Sequence, residues 1–253
     1  VIYNKRFNFI FIKTRKTAGT SIEIELGKLR GPDDIITPIN KDEKFSEEER
    51  TSHDEAEVRR LAASGIRPEV GGNFALGYLG AQNHLWTAKE IAAMKEPLNR
   101  AEKYWNHMPA HVVRQRLPQT EWERAFKFCV ERNPWDKVLS AYWYLHKRKD
   151  GSTPGTLDDF IFSGRAAKFS CWRRYTDPKT DKLIVDRVLR YENLDAELAE
   201  VTDKLGMPRL DLPRAKGWKR QDRRHYSEVY TPEQRDRVAK DFANEIRAFG
   251  YSF

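Results

Sequence analysis

The stretch that most constrains the fold is FNFIFIKTRKTAGTSIEIE, residues 7–25. Phe7, Phe9, Ile10, Phe11 and Ile12 make a short continuous run of β-favouring apolar residues, too short for a helix. That pattern predicts a strand buried on both faces. The run stops at Lys13-Thr14-Arg15-Lys16-Thr17, and beyond Ala18-Gly19-Thr20-Ser21 a helical segment carries Ile22, Ile24 and Leu26. The order is strand, tight basic loop, helix N-terminus.

A helix start leaves backbone N–H groups without intrahelical acceptors at the positive end of its dipole, so the loop is predicted to hold an oxyanion. Gly19 permits close approach of the backbone to a ligand, Thr17, Thr20 and Ser21 add hydroxyl donors, and Lys16 adds a mobile charge. An ordinary basic turn between strand and helix has the same local look. The phosphate loop of nucleoside triphosphatases reads G-x-x-x-x-G-K-[ST], and neither its first glycine nor its Gly-Lys pair stands here.

A chain of 253 residues can bury a sizeable core, and one α/β domain is the simplest organisation, with two small ones left open. No apolar stretch approaches membrane-spanning length and no leader-like segment opens the sequence, so a soluble, cytoplasmic protein is expected; a lumenal catalytic fragment of a membrane-anchored enzyme is the other option. Cys129 and Cys171 are expected to be buried thiols rather than a disulfide or metal ligands. The formal charge of +8 calls for an anionic partner: nucleic acid, an acidic membrane surface, or a phosphorylated or sulfated small molecule.

Residues 28–49 read as a long loop, 46–63 and 87–95 as helices, and the glycine-rich, aromatic 65–82 as a substrate-facing lid or a plain surface connection. Pro109 marks a helix start with Val112, Val113 and Leu117 on its apolar face. FKFCV, residues 126–130, is a second strand running into Glu131-Arg132-Asn133-Pro134, where proline suits the first turn of a helix buried through Val138, Leu139, Tyr142, Trp143 and Leu145. Arg132 then falls at the carboxyl end of that strand and Ser140 about two turns into the helix. In open α/β sheets ligands collect at that edge. A short helix over 156–163, a basic and aromatic patch over 168–175, a third strand over 183–191, a helix over 193–205, a basic loop over 216–224 and a last helix over 231–249 complete the chain.

Three separated motifs then agree. KTRKTAGTS after a buried strand, FCVERNPWDKVLSAYWY, and RYENL followed by YTPE and a terminal FGYSF together resemble the carbohydrate-type sulfotransferases that use 3′-phosphoadenosine 5′-phosphosulfate (PAPS). The likeness covers residues 7–25, 104–144 and 183–253. It implies one P-loop-like, three-layer α/β/α domain over 1–253 with a central, mainly parallel sheet, residues 28–103 being a substrate-facing insertion. By resemblance Lys16, Thr17, Ala18, Gly19, Thr20 and Ser21 surround the 5′-phosphosulfate, and Arg132 and Ser140 share the 3′-phosphate. The loop containing Trp218, Lys219 and Arg220 is similar in placement to the family's nucleotide-covering loop. Ala18 departs from a common glycine, and Glu131, read as a strand residue pointing away, stands where an apolar residue is usual.

The resemblance implies transfer of a sulfuryl group to a hydroxyl of a carbohydrate or glycoconjugate, leaving adenosine 3′,5′-bisphosphate. Such a transfer runs without a metal, and no nucleic acid is expected as partner. Lys16 is expected to stabilise the leaving oxygen. His107, of six histidines, occupies the position of the family's base, with His111 the first alternative and His53 and His84 possible lining of the acceptor pocket; His146 and His225 read as structural. Tyr191 and Glu192 are expected to anchor the third strand, outside the chemistry. A nucleotide or small-molecule kinase of related fold, and a basic nucleic-acid-binding module, are the competing classes.

Overall fold

A computed structural model describes residues 1–29, 34–37, 104–146, 155–212, 222 and 224–253. Among them five strands form one sheet in the order β3-β1-β2-β4-β5: β1 (Ile2–Asn4), β2 (Phe9–Ile12), β3 (Ile35–Ile36), β4 (Phe126–Glu131) and β5 (Arg187–Arg190). β2, β4 and β5 are parallel, with Ile12 opposite Cys129 and Val130 opposite Leu189. β1 and β3 add antiparallel pairings, so the α/β sheet is mixed, where a mainly parallel one was expected. The cause is a tight reversal at residues 5–8. Asn4 Oδ1 accepts from the Phe7 N–H at 2.8 Å and Asn8 takes a left-handed φ of 53°, which turns β1 back onto β2.

The alternation of the strands decides what covers each face. Phe9, Phe11, Phe128, Val130 and Leu189 point to one side, where α1 (Gly19–Lys28) supplies Ile22, Ile24 and Leu26. Leu194, Leu198 and Val201 close that side from a helix over Leu194–Leu205. Ile10, Ile12 and Cys129 point to the other, against Ala110 and Val113 of α2 (Ala110–Arg116), Trp122 of α3 (Gln119–Arg124) and the Cys171–Tyr175 segment. All four residues of β2 are fully buried, as a strand covered on both faces requires. A third apolar cluster joins α4 (Pro134–His146), through Trp135, Val138 and Ala141, to Phe160 and Ile161 of α5 (Leu157–Phe162). Val238 and Phe242 complete it.

The remaining helices are α6 (Trp172–Tyr175), α7 (Leu194–Leu205), α8 (Pro232–Asp241) and α9 (Ala243–Phe249). The last helix expected over 231–249 is thus two. Phe242 breaks it with φ −117° and ψ 24°, and its ring is fully buried in the third cluster. The strand expected over 183–191 shrinks to Arg187–Arg190, because Ile184 donates instead to the Tyr175 carbonyl at 3.0 Å and Leu183 bridges Thr176. Ile35 and Ile36, expected within an insertion, form the sheet's edge strand. The helices expected over 46–63 and 87–95, the 65–82 segment and the rest of residues 30–33 and 38–103 lie outside the described residues. Cys129 and Cys171 are buried free thiols. Among the described residues no helix is long and apolar enough to cross a membrane.

Candidate functional site

Because β2 and β4 are parallel neighbours, the loops that leave them open on the same sheet edge, side by side. Thr14 holds them together. Its hydroxyl donates to the Val130 carbonyl at the end of β4 and shares a 2.8 Å hydrogen bond with Thr17.

The first loop is strained. Five non-glycine residues have positive φ among the described residues, and three belong to this site: Lys16 at 61°, Ala18 at 58° and His107 at 60°. Such conformations cost ~1–3 kcal/mol each and cluster where a backbone must be aimed. Left-handed residues in a turn swing successive N–H groups toward one concave side, an anion-binding geometry. Ala18 caps α1 without a side-chain bond and no acidic residue occupies the helix's first turn, so no side chain there opposes an anion. Thr17, Thr20 and Ser21 are buried around that turn.

Gly19 also makes room for a neighbouring side chain. A Cβ there would stand 2.8 Å from Lys13 Cγ and 3.1 Å from Lys13 Cε, so the missing side chain leaves space for the lysine stem. Lys13 passes under α1 to pair with Glu23 at 2.5 Å, both side chains being buried. The ammonium of Lys16 lies 4.0 Å from the ring centre of Tyr144 on α4, a cation–π contact.

Arg132, at the strand end as expected, is held on three sides. Nε donates to Asp136 Oδ2 at 2.8 Å and Nη2 stands 2.6 Å from the same oxygen. Nη1 donates to the Lys16 carbonyl at 3.2 Å, and the guanidinium lies 4.1 Å over the Tyr191 ring. Asp136, Ser140 and Tyr144 recur every four residues on α4, so they share one helical face. Ser140 therefore stands between the carboxylate that holds Arg132 and the ring that receives Lys16. Trp218, Lys219 and Arg220 lie outside the described residues.

His107 approaches from the turn before α2. Its Nδ1 is 3.2 Å from the Lys13 carbonyl, and because a carbonyl only accepts, Nδ1 carries the proton and Nε2 keeps a lone pair. Arg174 donates from Nη1 to the His107 carbonyl. Burial first, then the charges of Lys13 and Arg174, pull the imidazole pKa down to about 2, so the ring is neutral at ordinary pH. His111 has a buried Nδ1 without a hydrogen-bond partner among the described residues. His146 packs on Tyr142 at 4.4 Å between ring centres, and His225 bonds Ser227 at 2.7 Å. His53 and His84 lie outside the described residues.

Several contacts here were not legible from the chain. Glu131 does not point away: it is buried, pairs with the fully buried Lys137, and accepts from Tyr175 at 2.9 Å and from the Arg132 N–H at 2.7 Å. Burial works against the Lys137 ammonium, but Cys171, Glu131 and Glu245 outweigh it and raise its pKa. Tyr191 and Glu192 touch the site as well, the first through its ring beneath Arg132 and the second by accepting from the Asn133 N–H at 2.6 Å. An acidic residue at a strand end directly before an arginine was the available signal for Glu131. Nothing local marks Tyr144 or Arg174.

Among the described residues no group of three or more His, Cys, Asp or Glu side chains is placed to hold a metal ion. No family model matches the chain. Over 102 residues, 40% of this chain and 84% of the relative, it is 38% identical to an uncharacterized protein of Archaeoglobus fulgidus.

Proposed function

This chain and the Archaeoglobus fulgidus protein belong to one family, and because that relative's name assigns it no activity, we propose a function from the site itself. The chain is a sulfotransferase of P-loop-like, three-layer α/β/α fold that moves the sulfuryl group of PAPS to a hydroxyl of a carbohydrate or glycoconjugate. The observation that carries this reading is the 3.2 Å bond from Arg132 to the Lys16 carbonyl, which sets two oxyanion-binding loops beside each other on one edge. A nucleoside with phosphates at both its 3′ and 5′ positions presents two anionic groups of that kind.

The residues fit the co-substrate by their chemistry. The turn from Lys16 to Ser21 and the start of α1 receive the 5′-phosphosulfate through backbone N–H groups and hydroxyls. Arg132 and Ser140 take the 3′-phosphate, Arg132 being pre-oriented by Asp136 and Tyr191. His107 Nε2, a weak base while burial and the charges of Lys13 and Arg174 hold the ring's pKa near about 2, accepts the proton of the acceptor hydroxyl once the anionic donor bound beside it offsets those charges, and Nδ1–H stays on the Lys13 carbonyl. The acceptor oxygen forms a bond to sulfur as the bond from sulfur to the bridging phosphate oxygen breaks. Lys16 leaves the Tyr144 face to meet the charge that grows on that bridging oxygen. The electron pair departs with adenosine 3′,5′-bisphosphate.

Calorimetry with adenosine 3′,5′-bisphosphate and with ATP, on the wild type and on Arg132→Ala, tests the reading. Preference for the bisphosphate that disappears in the variant supports it. Equal or tighter binding of ATP refutes it in favour of a kinase.

A further inference from the structure

The transfer just described needs a fixed separation between the base and the arginine that takes the 3′-phosphate, yet these stand on different elements. His107 lies in the turn before α2, and Arg132 follows the last residue of β4. One short segment touches both. α6 carries Arg174, whose Nη1 donates to the His107 carbonyl, and Tyr175, whose hydroxyl donates to Glu131 Oε2 at 2.9 Å. The other oxygen of Glu131 accepts the Arg132 N–H at 2.7 Å and pairs with Lys137. A path therefore runs from His107 through Arg174, Tyr175 and Glu131 to Arg132, each link a hydrogen bond or a peptide bond.

The start of the same segment is tied elsewhere. Glu245 of α9 accepts from Ser170 Oγ at 2.5 Å and from the N–H groups of Cys171 and Trp172 at 3.0 and 3.2 Å. Cys171 Sγ receives the Arg15 N–H of the first loop at 3.2 Å. The end of α6 is joined to β4 by the Tyr175 hydroxyl. Filling the space does not require that hydroxyl: Tyr175 is fully buried, its ring edge-on to Trp172 at 5.8 Å and to Phe249 at 6.0 Å between centres, and a phenylalanine would pack alike. Keeping a carboxylate buried beneath it is costly. Burial, then the charge of Glu131, push the Tyr175 phenol pKa well up, so it keeps its proton and donates. A hydrogen bond adds length and direction to a contact that apolar packing leaves free to slide, and reacting groups must be held within ~0.5 Å.

We propose that Tyr175 is a positioning residue, which through Glu131 fixes where α6 stands on β4 and through Arg174 fixes where His107 stands relative to Arg132. The need for that fixed separation rests on the sulfotransferase reading. Tyr175 itself, fully buried, meets neither donor nor acceptor and acts through the base.

The test uses the whole chain, labelled with nitrogen-15 at histidine and saturated with adenosine 3′,5′-bisphosphate. NMR reads the exchange of the His107 Nδ1–H with solvent in the wild type, in Tyr175→Phe, in Arg174→Met and in the two combined, and calorimetry reads bisphosphate affinity. Each single variant is expected to speed the exchange by about tenfold or more, as loss of a charge-assisted hydrogen bond implies. Bisphosphate affinity should stay within about twofold, and the double variant within about twofold of Arg174→Met, because Tyr175 acts through Arg174. A tyrosine that only packs would lower the melting temperature and leave the His107 proton unmoved. Glu131→Leu with Lys137→Met removes the same hydrogen bond from the other side and decides the matter if Tyr175→Phe does not fold. Wild-type exchange in the variants lacking the Tyr175–Glu131 bond, or in Arg174→Met, overturns the positioning role and leaves the sulfotransferase reading standing. A wild type that does not bind the bisphosphate overturns the sulfotransferase reading, and the exchange rates, then taken without it, still decide whether Tyr175 places His107.

Discussion

Arg132 Nη1 donates to the backbone carbonyl of Lys16 at 3.2 Å, across 116 positions of sequence. The side chain that ends β4 thereby braces the most strained residue pair of the first loop, Lys16 and Ala18. One guanidinium serves both loops, with Asp136 fixing its plane and Tyr191 lying beneath it.

Arg132→Lys is therefore expected to behave like Arg132→Ala. A lysine keeps the charge but lacks the fork that meets Asp136 and Lys16 together, and it does not stack on Tyr191 in the same way. Loss of a charged hydrogen-bonding group costs ~1.5–3 kcal/mol, so adenosine 3′,5′-bisphosphate affinity should fall by tenfold or more in both variants. Wild-type affinity in Arg132→Lys, read by calorimetry, would show that charge alone suffices.

Lys16 and Tyr144 separate binding from chemistry. On the proposed function, Lys16→Met should lower the rate of sulfuryl transfer by ~100-fold or more with a smaller change in bisphosphate affinity, because the proposed contact to the leaving oxygen would strengthen in the transition state. Tyr144→Phe keeps the ring face that holds the ammonium and should leave the rate within about twofold, whereas Tyr144→Leu removes a contact of ~0.5–2 kcal/mol. Steady-state kinetics on the three variants decide it.

The two neighbours Ala18 and Gly19 should respond with opposite signs to exchange. Ala18 is left-handed at φ 58°, so Ala18→Gly relieves strain of ~1–2 kcal/mol against a gain in unfolded-state entropy of ~0.4–1 kcal/mol, and should be neutral or mildly stabilising. Gly19→Ala improves helix propensity by ~1 kcal/mol but drives a methyl to 2.8 Å from Lys13 Cγ, whose head is tied to Glu23. Overpacking of this kind costs ~1–3 kcal/mol, so that variant should melt earlier. A higher melting temperature for Gly19→Ala would show that the lysine stem yields freely.

His107 should stay neutral far into acid. Its folded pKa of about 2 lies below the ordinary 6.5, so below pH 6.5 the unfolded chain takes up a proton that the folded one refuses. Stability then falls as pH drops from about 6.5 toward 2, and above 6.5 this residue contributes no slope. Nitrogen NMR of the ring at pH 5 is expected to show the Nδ1–H tautomer, and an imidazolium signal there would contradict the burial. In His107→Gln the acid-side decline in stability should be shallower.

The Glu131–Lys137 pair should tolerate joint replacement better than single loss. Lys137→Met leaves a buried carboxylate with only Tyr175 and the Arg132 N–H, a change expected to cost ~3–5 kcal/mol. Glu131→Leu together with Lys137→Met removes both charges and should recover much of that loss. Chemical denaturation of the single and double variants checks the ordering.

The amino-acid order alone determined the two strand-loop-helix units at Phe9–Lys28 and Phe126–His146, because an apolar run, a polar break and a return of apolar residues at helical spacing are short-range patterns. It placed Lys16, Arg132 and His107 at element ends for the same reason. Only the tertiary structure decided that Glu131 is buried on Lys137, that Tyr191 lies under Arg132 and that Arg174 grips the backbone of His107. Tyr191 and Arg174 reach partners far away in the chain, while Glu131 and Lys137, close in sequence, meet because the chain turns from β4 straight into α4. Local periodicity carries no record of which distant surface a side chain will meet, and the β1 hairpin escaped notice because three residues are too few to show a period.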